Sequence, residues 1–390
     1  MATTRALQLP LALKLATAGF LAVWALVAVF PLAWIAVMSF KLPIDGLSAN
    51  PLRVLLGPST LAQSGGLSPL DMILGTAVLI ALAILPGRFG ARAAARIAPG
   101  RDALGWIGAA LLYVLLALAA VFWLLPAVTA ALAALLAPVP GLRLLAEPAM
   151  GVTLEHYRSV WIKNAFWRNF DNSMIVTLGV VTISLSVGTL AGYALARTRG
   201  SFAFALLIAA LIFRALPYSV LVTGYLPVFI NSREILAPLL GPAAPTLYGQ
   251  PWAVIMVLVA INQPFTIWML RSFFQNIPAE LDEAARVDGC THFGAFWRVI
   301  MPVMWPGVIT TGLFSFLLAY NDYLVTALLL DAQSQTMVPA ISSFLNRGSS
   351  ATDEIESIAA AVSITAPLFV LVMVFQKQLV SGLTLGAVKG

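Results

Sequence analysis

The sequence predicts an all-α polytopic membrane protein, and three observations carry that prediction. Of its 390 residues, 61% are hydrophobic and only 10% charged, with a mean hydropathy of +0.94; roughly a quarter of a soluble domain's residues are charged. Several apolar runs reach the roughly 20 residues a helix needs to cross hydrocarbon. These runs are apolar throughout, whereas the strands of a closed barrel, the other structure that pairs its backbone in lipid, would alternate.

Eight candidate spans follow in order: 17–39, 70–86, 104–126, 173–195, 203–229, 251–270, 303–329 and 357–379. The first follows Arg5 and Lys14, is too long for a signal-peptide core and lacks a small-residue cleavage site, so it reads as uncleaved. Asp71 and Pro86 leave the second barely long enough; with the third it reads as a crossing hairpin, and Ala127 to Pro138 either extends the third or lies in the interface. Tyr157, Trp161 and Trp167 suit 139–171 to an interfacial segment. Pro238, Pro242 and Pro245 mark 231–250 as a loop.

The short loop 87–103 holds Arg88, Arg92, Arg96 and Arg101 against Asp102, which places it in the cytoplasm together with both termini and the loop 271–301. The 22 basic residues are scattered between spans, so the pI near 9.7 reads as membrane orientation and not as nucleic-acid binding. The lone Cys290 excludes an intrachain disulfide and a multi-cysteine metal site. The chain divides into 1–40, holding the first span, an insertion at 41–150, and a core at 151–390.

Within loop 271–301, Pro278 suits the first turn of a short helix, and Glu280, Asp282 and Glu283 follow where the helix dipole favours negative charge. Leu281, Ala284 and Ala285 share a face, the alanines admitting close backbone approach. Gly289 can end this helix in the left-handed conformation, and Thr291 can cap a next one running through Phe293, Phe296 and Trp297 toward Pro302. The expected product is a helix-turn-helix knob on the inner membrane face.

This stretch resembles the membrane permeases of binding-protein-dependent ABC importers, whose signature reads EAA, three residues, G, then an apolar-proline pair. Here it stands as Glu283-Ala284-Ala285, Gly289 and Met301-Pro302, with Asp288 before the glycine. Asn172-Ser173, Tyr193 to Arg197, Asn321-Asp322-Tyr323-Leu324 and the tail Gly382 to Gly390 are similar to the carbohydrate branch, of the maltose-permease G-subunit type, with long forms like those of α-glucoside uptake. Tyr320 replaces the family's usual tryptophan, and the insertion is additional.

The resemblance implies a type I ABC importer transmembrane subunit with six core spans plus an extra two-helix insertion, in a bacterial plasma (inner) membrane. It implies a sugar permease, not an enzyme, paired with a second permease subunit, two cytoplasmic ATPase subunits and an extracytoplasmic solute-binding protein, with the knob docking an ATPase. The same family offers a polyol or other small solute as an alternative. ATP and Mg would be bound by the partners: Lys14, Lys41, Lys163, Lys377 and Lys389 follow Leu, Phe, Ile, Gln and Val, so this chain has no Gly-Lys-Ser/Thr phosphate loop and no cofactor of its own.

Arg214, Asn262, Gln263, Asn321 and Asp322 are the candidates for the translocation path. A charge inside a span faces protein or water, so Arg214 either lines the path or pairs with a neighbour such as Asp322. The amides either contact solute or bond helix to helix. An ion-driven secondary transporter is the rival class; it would carry paired intramembrane carboxylates or broken helices in a repeat, and an enzyme would carry a nucleophile, base or metal cluster.

Overall fold

The computed structural model describes residues 11–97, 112–113, 115–139, 141–198, 200–214, 218–346 and 350–387. Its principal helices are α1 (Leu11–Ser39), α2 (Pro69–Ile97), α3 (Leu115–Leu136), α4 (Trp167–Arg197), α5 (Ser201–Arg214), α6 (Tyr218–Ile230), α7 (Pro251–Gln275), α8 (Glu280–Val287), α9 (His292–Tyr320), α10 (Met337–Asn346) and α11 (Ala351–Ala387), with shorter helices among the connections; one of these, Ser232–Leu240, makes the first half of the expected loop 231–250 helical, Pro238 included. Six stretches among the described residues are long and apolar enough to cross a membrane: Ala12–Ser39, α3, α4, α7, α9 and Ala351–Gln376.

Several predicted boundaries move, each for a local reason. Of span 203–229 the described parts are α5, through Arg214, and α6, from Tyr218; 215–217 lie outside the described residues. Span 303–329 stops at Tyr320. Asp322 Oδ1 there accepts the Thr326 amide at 3.0 Å and starts a separate helix, Leu324–Leu329. Span 173–195 begins earlier, at Trp167, because polar residues that fail a hydropathy window still continue a helix. In 357–379 the start moves back to Ala351, where Ser350 Oγ accepts the Asp353 amide at 3.2 Å as a cap.

In the predicted hairpin, Ser68 and Asp71 cap α2 reciprocally: Ser68 N donates to Asp71 Oδ2 at 2.9 Å and Asp71 N to Ser68 Oγ at 3.1 Å. Among the described residues, the apolar stretch of α2 is Pro69–Leu82. Most of 98–114, the start of span 104–126, lies outside the described residues. Its end is not Pro126, since α3 continues to Leu136 through a wide π turn at Ala120–Leu124. Pro126 leaves the carbonyl four residues back, Phe122, without its helical donor, and the wide turn is centred on that residue.

The chain forms two compact units, Met1–Lys163 with Phe344–Pro367, and Asn164–Ser343 with Leu368–Gly390. In the first, a polar cluster follows α1. The buried Lys41 Nζ donates to the Gly151 carbonyl, and the buried Asp45 carboxylate accepts Thr60 N at 2.7 Å, Thr60 Oγ1 at 2.9 Å and Arg53 Nε at 3.1 Å. A two-residue antiparallel ladder pairs Gly66 with Gly151. Burial pushes the Lys41 ammonium down from its ordinary value, against the attraction of Asp45.

The second unit is built on α4, α7 and α9. Ser184, Gly188 and Gly192 recur every four residues on α4, the small-residue stripe that lets helix backbones meet. A Cβ at Gly188 would stand 2.6 Å from Thr266 Cγ2, and one at Gly192 3.0 Å from the Arg271 amide nitrogen, so α7 lies directly against this stripe. One apolar cluster joins Val176, Val180, Val254, Leu258 and Leu329; another joins Leu270, Phe274, Phe296, Ile300 and Met304. The second cluster lies beneath the predicted knob.

Candidate functional site

The predicted knob forms. Helix α8 starts at Glu280, two residues after Pro278, whose carbonyl accepts the Leu281 amide at 3.3 Å. Glu280, Asp282 and Glu283 fill its first turn, where exposed amide groups favour carboxylates. Gly289 has φ +88°, and its amide and that of Cys290 turn back to the carbonyls of Arg286 and Ala285, each at 3.0 Å. Thr291 Oγ1 then accepts the Gly294 amide at 3.1 Å and opens α9.

The faces of α8 differ from the expected pattern. Ala285 is 5% exposed, but Leu281 is 37% exposed and Ala284 is exposed with it. Leu281, Ala284 and Ala285 therefore do not act together. What sets the rotation is Asp282, which faces the body of the unit: its Oδ1 accepts the Tyr193 hydroxyl at 2.5 Å and its Oδ2 accepts Arg197 Nε at 2.8 Å. Ala285, one turn on, packs inward, while Glu283, Ala284, Asp288, Gly289 and the 87% exposed Val287 face away.

Arg197, the last residue of α4, has a second set of partners. Its Nη1 donates to the Ile277 carbonyl at 3.0 Å and the Phe274 carbonyl at 3.4 Å, and its Nη2 stands 2.7 Å from Asp282 Oδ2. Below it, the Tyr193 ring lies 5.5 Å from that of Phe274 and 4.9 Å from that of Phe296, centre to centre. Sequence reasoning places Asp282 in the first turn of the knob helix and Tyr193 to Arg197 in a family-like stretch, but does not bring them together. A partial signal exists, a basic residue closing one helix and an acid opening another, but their meeting depends on how α4 and α7 pack.

At the far edge of the knob, α9 contains a π turn, Phe296–Ile300, directly before Pro302. It is centred on Arg298, the residue whose carbonyl Pro302 leaves without a donor, as at Phe122 and Pro126. Phe293 and Trp297 are 67% and 62% exposed beside it, whereas Phe296 is buried.

The predicted path residues whose side chains are described have hydrogen-bond partners of their own. Asn262, 1% exposed, donates from Nδ2 to Ser315 Oγ at 2.8 Å between α7 and α9, and its Oδ1 is buried without a hydrogen-bond partner. Gln263 Nε2 reaches the Ser184 carbonyl of α4 at 3.4 Å. Asp322 is 8% exposed and caps its short helix, while Asn321 is exposed and bonds back to the Leu317 carbonyl at 3.0 Å. The side chain of Arg214 lies outside the described residues.

Residues 184–384, which contain the knob and the α4, α7 and α9 packing, match the family model described as the binding-protein-dependent transport system inner membrane component. The chain belongs to this family. Residues 41–150 lie outside the match. Among similar proteins, the diacetylchitobiose uptake system permease protein DasC of Streptomyces coelicolor is 35% identical over 246 residues, 61% of this chain and 82% of that one. The trehalose transport system permease protein SugB of Mycobacterium tuberculosis is 35% identical over 242 residues, covering 61% and 83%. The maltodextrin transport system permease protein MdxG of Bacillus subtilis is 28% identical over 239 residues, covering 61% and 81%. A crystal structure of a bacterial ABC transporter that imports alginate has a chain of 22% identity, TM-score 0.45, covering 71% of this chain and 98% of that one. The protein is thus a multi-pass permease component of an ABC importer; the family is one of transport components and not of enzymes.

Proposed function

We propose that this permease forms half of the translocation pathway of an ATP-driven sugar importer, an oligosaccharide or α-glucoside being the solute class, and that its knob docks a cytoplasmic ATPase. The observation that carries the docking is the division of α8 into a bolted and a bare face. Asp282 and Ala285 hold the helix to the body, leaving Glu283, Ala284, Val287, Asp288 and Gly289 free for a partner. The names of the relatives, which transport diacetylchitobiose, trehalose and maltodextrin, support the sugar.

In this reading a second permease completes the pathway, two ATPases bind ATP and Mg, an extracytoplasmic binding protein delivers solute, and Asp322 stands with the path residues Asn321 and Arg214. The protein sits in the bacterial plasma (inner) membrane with both termini and the knob in the cytoplasm. Closure of the ATPases shifts the spans between two states, a shift whose size is set by the differential contacts of the knob. Asn321 and Arg214 serve the solute path, while Asn262 and Gln263 serve helix packing. Gly289→Asp or Glu283→Lys is expected to leave membrane insertion intact and to remove ATPase copurification. Normal copurification with both variants would overturn the docking.

A further inference from the structure

The knob is joined to the spans by two short links, residues 276–279 from α7 and 288–291 into α9. Such links bend, so a push on the knob would be absorbed there unless something braces it. Arg197 supplies the brace. One planar guanidinium bonds the carboxylate of Asp282 on the knob, the carbonyls of Phe274 and Ile277 at the end of α7, and belongs to the last turn of α4.

The placement satisfies each partner's electrostatics. A cation suits the carbonyl end of α4 and of α7, and an anion suits the amide end of α8. The side chains of Arg197 and Asp282 are 21% and 15% exposed, so water screens their attraction only in part. Tyr193 adds a second hydrogen bond to the same carboxylate and rests on Phe274 and Phe296. Behind this joint, α4 meets α7 through Ser184, Gly188 and Gly192 with no room for a Cβ at Gly188.

We infer that Arg197, with Tyr193 and Asp282, is the transmission pin of the permease: it makes knob, α4 and α7 one body, so that displacement of the knob becomes displacement of the spans. These are positioning residues. The inference rests on the reading that the knob docks an ATPase. Lysine, a point charge without the planar fork, could hold the carboxylate but not the two carbonyls as well.

The test uses the assembled transporter, with spin labels on the native Cys290 and on Leu178→Cys, an exposed position of α4. The expected result is one narrow distance, the same without nucleotide and with ATP and Mg. Arg197→Gln is expected to keep the ATPases bound while the distance broadens and shifts on adding ATP, with Arg197→Lys intermediate. The inference is overturned if Arg197→Gln keeps the narrow, nucleotide-independent distance, or if the unsubstituted pin already lets it shift. Loss of bound ATPase in both Arg197 variants would also overturn it, since the pin would then shape the docking face. Failure of the docking reading shows differently: the protein with its native pin would retain no ATPase, and the transmission role would go with it.

Discussion

Asp45 shows how a single residue gives the first unit its footing. Burial pushes its carboxyl up, but hydrogen bonds from Thr60, Arg53 and Ser59 outweigh that and hold it below the ordinary carboxylate range. A depressed carboxyl contributes stability above its unfolded value, near 3.9, and loses it as pH falls through the lower folded value. Resistance to thermal unfolding in detergent should therefore weaken in acid below about pH 4. Asp45→Asn should cost about 1–3 kcal/mol at neutral pH by stranding buried partners, and should flatten the acid dependence. Equal melting curves for the two proteins would contradict this. Local spacing does not reveal this role, since the partners of Asp45 lie up to 15 residues away.

At the scale of elements, two prolines that look like helix stops are passed by widened turns. Pro126 and Pro302 each follow a π turn, Ala120–Leu124 and Phe296–Ile300, centred on the carbonyl the proline cannot serve. The wide turn removes the break that a proline would otherwise force, which is why Pro126 does not end α3. It also sets the angle at which α9 meets the knob. In Pro302→Ala the turn can relax to α, which rotates the residues before it by about 100° relative to the span. The expected outcome is reduced ATPase copurification with unchanged membrane insertion; full copurification would count against this role. Sequence patterning does not show that these two prolines are passed, because the result depends on whether neighbouring helices can accept the extra residue.

Over the whole molecule, the proposed docking makes the knob one half of a machine whose ATP chemistry belongs to partner subunits, and no phosphate loop of the Gly-Lys-Ser/Thr type occurs in this sequence. Uptake should therefore vanish when the ATPase subunits are deleted. Uptake that persisted would place the protein with ion-driven transporters. The sequence by itself determined the membrane class, from 61% hydrophobic composition and long apolar runs, and the knob, because caps, charges and Gly289 act over a few consecutive residues. Only the tertiary structure decided which face of α8 is bare, that Asn262 joins α7 to α9, and that Arg197 grips Asp282. Those outcomes depend on contacts between residues 53 and 85 positions apart, and such contacts are fixed by helix packing, to which hydropathy and local spacing are blind.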